Sequence, residues 1–289
     1  MTVPRSRLVR AAGVAAGALV RACVVGSVLT LVACGTIPRP TYPQTDASMA
    51  LARREATTAG LLSIRAEARV DQRGRQGRVR GTVLMFIERA GRVRFDVMTQ
   101  FGPIAILTSD RERFAFADLR EGRYLTGATC PQNIARLLGV PLSVDETSRF
   151  LLAGTPLIDY QKSQVSWNEG GFYRLSLLSV AGERQELDLG IYPQDVKLPA
   201  AQQRLYLLRS ERWSAAGKSE WRVTYTDQKA VRLGGAQVLV PFRVRVEQAR
   251  SASDTLVHFK DVAFNPQIPE GAFTQSPRPG MQQEEASCE

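Results

Sequence analysis

Few residues of this 289-residue chain are of the types that do chemistry, and their spacing narrows the possibilities further. The single histidine, His258, would have to serve any Ser–His or Cys–His device. It stands beside Phe259 in a strand predicted over 255–264, which assigns it to structure. Glu183, Glu186 and Asp188 cluster, but on a strand predicted over 185–191 they read as exposed charge. The sequence holds no Gly-x-Ser-x-Gly elbow, His-Glu-x-x-His, Cys-x-x-Cys or phosphate-cradling Gly-x-x-x-x-Gly-Lys. No enzymatic activity, metal or cofactor is expected.

The informative cysteine is Cys34. Residues 1–33 have a basic start and then an apolar run over 22–33, ending in Leu31-Val32-Ala33-Cys34-Gly35. This resembles the bacterial lipobox, in which a diacylglycerol is joined to the cysteine thiol and the chain is cut just before it. The alternative is an ordinary secretory signal with an incidental cysteine; the apolar segment is short for a spanning helix. A lipidated Cys34 would begin the mature protein and tether it to a membrane, and Gly35 rather than Asp after it implies the outer membrane by the enterobacterial sorting rule. Cys130 and Cys288 then remain. Export permits a disulfide between them, two free thiols being the alternative, and the bond is the expectation.

The elements that position these residues are mostly strands. Residues 79–109 organise the chain, with strands predicted over 78–89, 92–99 and 104–109. The first holds the run Val83-Leu84-Met85-Phe86-Ile87, as in a central strand covered on both faces. The second alternates, with Val93, Phe95 and Val97 opposite Arg92, Arg94 and Asp96. The turn between the second and third carries Phe101 and Ile104, where polar residues are the norm. Phe101 in a tight Gly-Pro turn is expected to be exposed, the alternative being that it folds back onto the sheet.

Before this stretch, residues 34–45 read as a Pro-rich tether and 47–58 as a helix capped by Asp46, with Arg53, Arg54 and Glu55 exposed. A strand over 61–70 and a turn over 71–77 follow. Six arginines fall between Arg65 and Arg80; they read as solvated strand ends or as contacts to lipid phosphates. Short strands over 113–119 and 123–126 give way to two short amphipathic helices. Pro131 opens the first, Ile134, Leu137 and Leu138 share its face, and Gly139 closes it. Ser143 and Glu146 have capping-box spacing at the second, whose apolar face is Phe150 and Leu151. Two such helices inserted among strands suit a lid over an open sheet. Seven more strands are predicted between 164 and 264, and the tail 276–289 reads as disordered. No composition break divides 46–275, which is expected to be one domain. With residues 1–33 removed, 34 basic residues face 28 acidic ones, a net charge of +6. That excess suits an anionic membrane surface and is too diffuse for nucleic acid.

Together these features resemble the LolA/LolB-like superfamily, nearest to the outer-membrane lipoprotein receptor LolB. The resemblance rests on the lipobox, the strands with Arg94-Phe95-Asp96-Val97 and Phe101-Gly102, and the helical block 134–154 with Leu-Leu-Gly and Leu-Leu-Ala-Gly. The close Phe264-Asn265-Pro266-Gln267-Ile268-Pro269, with Phe273, Pro277 and Gly280, is similar to the superfamily's end. It implies an α+β fold, mainly antiparallel β, in which an open half-barrel sheet is covered by short lid helices. It also implies an apolar hollow for acyl chains, lined here by Val83, Met85, Ile87, Val93, Phe95, Val97, Leu137, Leu138, Phe150 and Leu151. The loop at Phe101 and Ile104 would touch the membrane. Implied partners are acyl chains or lipoproteins and a periplasmic carrier protein, with the chain lipid-anchored on the periplasmic face of the outer membrane. Phe150 stands where the family often has a tryptophan, and the region after Tyr160 is longer than the family pattern. Two other readings stay open: a structural or assembly lipoprotein with a filled core, and an enzyme using His258. A cavity between sheet and lid, or a solid packing there, separates them.

Overall fold

Residues 38–75 and 77–288 are described by the computed structural model, and within them alternating apolar residues build one open sheet. Its first half is a meander of β1 (Ser63–Gly74), β2 (Gly77–Glu88), β3 (Arg92–Thr99), β4 (Gly102–Ser109), β5 (Arg113–Asp118) and β6 (Arg123–Ala128). The second half is a meander of β7 (Lys162–Asn168), β8 (Phe172–Leu178), β9 (Arg184–Ile191), β10 (Leu205–Trp213), β11 (Ser219–Leu233), β12 (Ala236–Gln248) and β13 (Ser253–Phe264). β13 pairs with β1 and joins the halves, and β14 (Gln282–Glu285) adds to β6 in parallel. The strand order is β14-β6-β5-β4-β3-β2-β1-β13-β12-β11-β10-β9-β8-β7, with the other pairs antiparallel. The ends of that order do not meet, so the half-barrel stays open.

This topology explains the lid. β6 lies near one edge of the sheet and β7 forms the other, so the chain between them must cross the whole inner face. That crossing carries α2 (Pro131–Leu138) and α3 (Val144–Leu151). Pro131 starts α2, and Gly139 ends it at φ +65°, where a Cβ would also strike the Gln72 side chain. Ser143 and Glu146 form the reciprocal capping box of α3. α1 (Ala47–Thr58), capped by Asp46 on the amides of Ser48 and Met49, packs over β10 and β7.

Several expectations change in the structure. Asp71 belongs to β1 rather than to a turn, because Arg78 and Arg80 hold it across the β1–β2 hairpin. β2 is covered fully on one face only, with Leu84 and Phe86 half-buried on the other. The tether docks from Pro40 onward. Gln44 donates to the Ala200 carbonyl at 2.7 Å, Gln203 donates to the Tyr42 carbonyl at 2.8 Å, and the Thr41 amide donates to the Val196 carbonyl. The tail is ordered, because β6 would otherwise leave its ladder groups unpaired. The Ala286 amide donates to the Thr126 carbonyl at 2.7 Å, and Arg123 pairs with Glu284 at 2.8 Å. Gly127 permits that approach: a Cβ there would lie 2.4 Å from the Ala286 carbonyl oxygen. On its way from β13 to β14 the chain crosses the outer face of β3–β6. There Gln275 donates to the carbonyls of Ile106 and Ala115, and Tyr124 donates to the carbonyl of Gln275. The residues expected to form a signal peptide, and Cys34 with them, lie outside the described residues.

Candidate functional site

The candidate site is the interface between the inner face of the sheet and the lid. β2 and β3 supply Val83, Met85, Ile87, Val93 and Phe95 to it, all buried in one continuous core with Phe150 and Leu151 of α3. Val97 is half-buried at its margin. The side chains of Leu137 and Leu138 lie outside the described residues. Met85, Ile87, Val93 and Phe95 are each 0% exposed, so no water-sized space touches them. A void of about 10 Å³ lies beside Leu151, lined also by Phe242, Phe259 and Phe264. Ligand-sized cavities run to roughly 300 Å³ or more. The expected hollow is therefore filled by side chains in this structure, because Phe150, carried by the lid, closes edge-on over Trp221 with ring centroids 5.0 Å apart.

What surrounds the lid is less solid. An open groove of about 760 Å³ runs between Pro141 and Leu142 of the α2–α3 connection with Glu146 of α3 on one side, and Lys218, Trp221 and Gln248 of the second meander on the other. On the other side of α3, a groove of about 570 Å³ separates it from α1, lined by Leu51, Arg54, Asp145, Arg149 and Leu157. α3 is thus flanked by open space on both sides and held mainly at its ends and underneath.

Its C-terminal end is fastened by buried polar contacts. Ala153 takes a left-handed conformation, φ +58°. Arg54 of α1 donates to the Ala153 carbonyl, and Tyr225 of β11 donates to the Gly154 carbonyl at 2.6 Å. Arg54 is 4% exposed, which corrects the expectation that it faces water; it also pairs with Glu55 at 2.8 Å. Burial pulls its guanidinium below its ordinary value, Glu55 opposing, and burial pushes the Tyr225 phenol up. The Arg54 Nε has no partner among the described residues. Arg54, Trp221 and Tyr225 escaped the sequence reading. Trp221-x-Val223-x-Tyr225 has the inward alternation that could have found two of them, whereas nothing near Arg54 marks it as buried.

The remaining candidates sit elsewhere. Phe101, at the β3–β4 hairpin tip, is 90% exposed; its amide donates to Thr99 Oγ1 at 3.2 Å and Gly102 has φ +114°, while Ile104 is half-buried. Cys130, the N-cap of α2, is joined to Cys288 in a disulfide with Cα atoms 6.0 Å apart. His258 lies on the outer face, 4.0 Å from Asp227 and between Arg69 and Arg243 in register. Glu183, Glu186 and Asp188 are not loose surface charge. Cross-strand register sets Asp188 between Arg174 (2.9 Å) and Arg209 (2.7 Å), with Glu186 on Arg209 and Glu183 on Arg212.

No protein-family model matches the sequence, and no curated protein matches it. Solved structures do. The chain is similar to a domain from Vibrio parahaemolyticus described as an outer membrane lipoprotein-sorting protein, with TM-score 0.51 and 13% identity over 78% of this chain and 94% of that one. It is equally similar to a DUF1329 family protein from Desulfovibrio piger, with TM-score 0.51 and 12% identity over 79% and 96%. A LolA superfamily protein from Nitrosomonas europaea aligns with TM-score 0.48 and 13% identity over 81% and 99%. At such identities the likeness is one of fold: the first two structures share the open, mainly antiparallel half-barrel of this chain.

Proposed function

We propose that this chain is an envelope lipoprotein that takes up an acyl chain between sheet and lid when α2 and α3 swing aside. The observation that carries the reading is the pair of open grooves flanking α3, a helix of eight residues whose far end is held by contacts from Arg54 and Tyr225. Displacing an eight-residue helix exposes less area than displacing a long one, so opening costs less. It would uncover Met85, Phe95 and Trp221, and each acyl CH₂ buried there contributes roughly 0.8 kcal/mol. Cargo of this kind is held by burial, without catalysis or a cofactor. In this reading Cys34 carries the lipid anchor, the chain sits on the periplasmic face of the outer membrane, and Phe101 meets the bilayer during delivery from a periplasmic carrier.

The filled core supports a second reading, a structural lipoprotein that docks to another envelope protein with its lid permanently shut. Organic extraction of the purified protein followed by lipid mass spectrometry separates the two. The carrier reading expects stoichiometric acyl lipid beyond any anchor on Cys34; an extract without it favours the structural lipoprotein.

A further inference from the structure

The outer face of the sheet carries arginines along its whole width, and in two of its three sectors most of them are covered or paired. Over β3–β6 the C-terminal segment lies across the face, with Phe273 under the Arg92 guanidinium and Arg94 donating to the Ala272 carbonyl. Over β8–β11 the arginines are matched to acids: Asp188 takes Arg174 and Arg209, and Glu211 takes Arg209 and Arg222, at 2.7–2.9 Å.

The sector between them, on β2, β1, β13 and β12, has no segment of the described residues lying across it. Of its acids, Asp71 is engaged by Arg78 and Arg80 and Asp254 by Arg245, while Glu67 and Asp261 face each other further along the β1–β13 pair. Arg69, Arg73 and Arg243 are left exposed, with no ion pair or hydrogen bond to another described residue. Register puts Arg69, His258 and Arg243 side by side on three adjacent strands, with Arg73 four residues further along β1. The backbone positions of these three arginines are therefore separated by roughly 10 Å across the strands and 13 Å along them. A groove of about 470 Å³ runs beside Arg73 and Arg243, with Thr224, Thr226 and Leu256 and the acids Asp71, Glu247 and Asp254 in its walls. Burial first, then Lys260 and Arg243, hold the imidazole of His258 below its usual value against the pull of Asp227.

Three exposed guanidinium groups spread over that area can each take the oxygens of a different phosphate in the fork of a single arginine. They suit separate phosphates lying side by side. Arg73 is also near the end of β1 from which the β1–β2 and β3–β4 hairpins emerge, so the cations and the exposed Phe101 share one end of the sheet. Cations beside an apolar tip match the bilayer interface. We infer that the outer face around Arg69, Arg73 and Arg243 docks on a bilayer surface rich in anionic phosphate headgroups. This surface is opposite the acyl-binding face and holds whether or not the lid opens.

The test uses the full chain and its Arg69→Ala/Arg73→Ala/Arg243→Ala variant, co-sedimented with vesicles of phosphatidylcholine alone or with three-tenths phosphatidylglycerol. Any anchor or apolar contact acts on both vesicles, so the readout is the gain from phosphatidylglycerol. For the wild type this gain should fall away at high salt, and the triple alanine variant should lose roughly ten- to a hundredfold of it. The triple lysine variant should keep most of it, which separates charge from folding. An equal gain in wild type and alanine variant overturns the inference. So does displacement of the wild type by millimolar inorganic phosphate at constant ionic strength, because a discrete phosphate site would then be present instead of a membrane surface.

Discussion

The Tyr225 hydroxyl, on β11, donates a 2.6 Å hydrogen bond to the carbonyl of Gly154, just beyond the last turn of lid helix α3. The bond is fully buried and spans 71 residues of sequence, so it ties the lid to the second meander where covalent geometry does not. Tyr225→Phe keeps the ring and removes the donor, leaving a buried carbonyl unpaired at a cost of about 1–3 kcal/mol. Because that cost falls on the closed lid, amide exchange over 144–153 should quicken while β1 and β2 stay protected. Uniformly faster exchange throughout the sheet would mean that Tyr225 supports the fold as a whole and is no latch.

The Cys130–Cys288 bond fastens the start of α2 to the chain just past β14. Non-reduced mass spectrometry should find no free thiol at either position. Cys288→Ala should cost on the order of 2–4 kcal/mol and release β14 first, because it is a four-residue edge strand next to the bond. Two freely alkylated thiols in the exported protein would remove the bond from the account.

Phe101 is 90% exposed, so Phe101→Glu should change unfolding free energy by no more than about 0.5 kcal/mol. Delivery of a bound acyl probe to vesicles should slow. A melting point lowered by several degrees would place the ring in the core instead.

Asp195 is 2% exposed and accepts from Arg204 at the side-chain Nε and Nη2, both 2.8 Å, and at the backbone amide, 2.9 Å. Burial pushes its carboxyl up, but the Arg204 bonds outweigh that and hold it below its ordinary value. A depressed acid stabilises the fold above its unfolded pKa of about 4, and the contribution is lost as pH falls through the folded value. Denaturant midpoints of Asp195→Asn should therefore be lower than wild type near neutral pH and converge with it in acid. A gap that stays constant with pH would mean that the ion pair is not the source.

The hairpins of 79–109 and both lid helices were legible because each is encoded locally, in the alternation of Val93-Phe95-Val97, in Pro131 with Gly139, and in the Ser143–Glu146 box. Arg54 was misread because its burial depends on a carbonyl 99 residues away, which no periodicity marks. The tail looked unstructured by composition, yet strand β14 draws its order from β6, the Glu284–Arg123 pair and Cys130. The apolar residues of the hollow were correctly grouped on one face. Whether they enclose space depends on side-chain volumes delivered by α3 and β11, and the Phe150–Trp221 contact that fills it joins residues far apart in sequence.

Acyl binding under the lid is tested most directly by titrating delipidated protein with a fluorescent fatty acid while following energy transfer from tryptophan. The account predicts saturable binding near one probe per chain, with transfer weakened in Trp221→Phe and uptake faster in Tyr225→Phe than in wild type. No saturable binding in either wild type or Tyr225→Phe would contradict it and leave the closed, structural lipoprotein in its place.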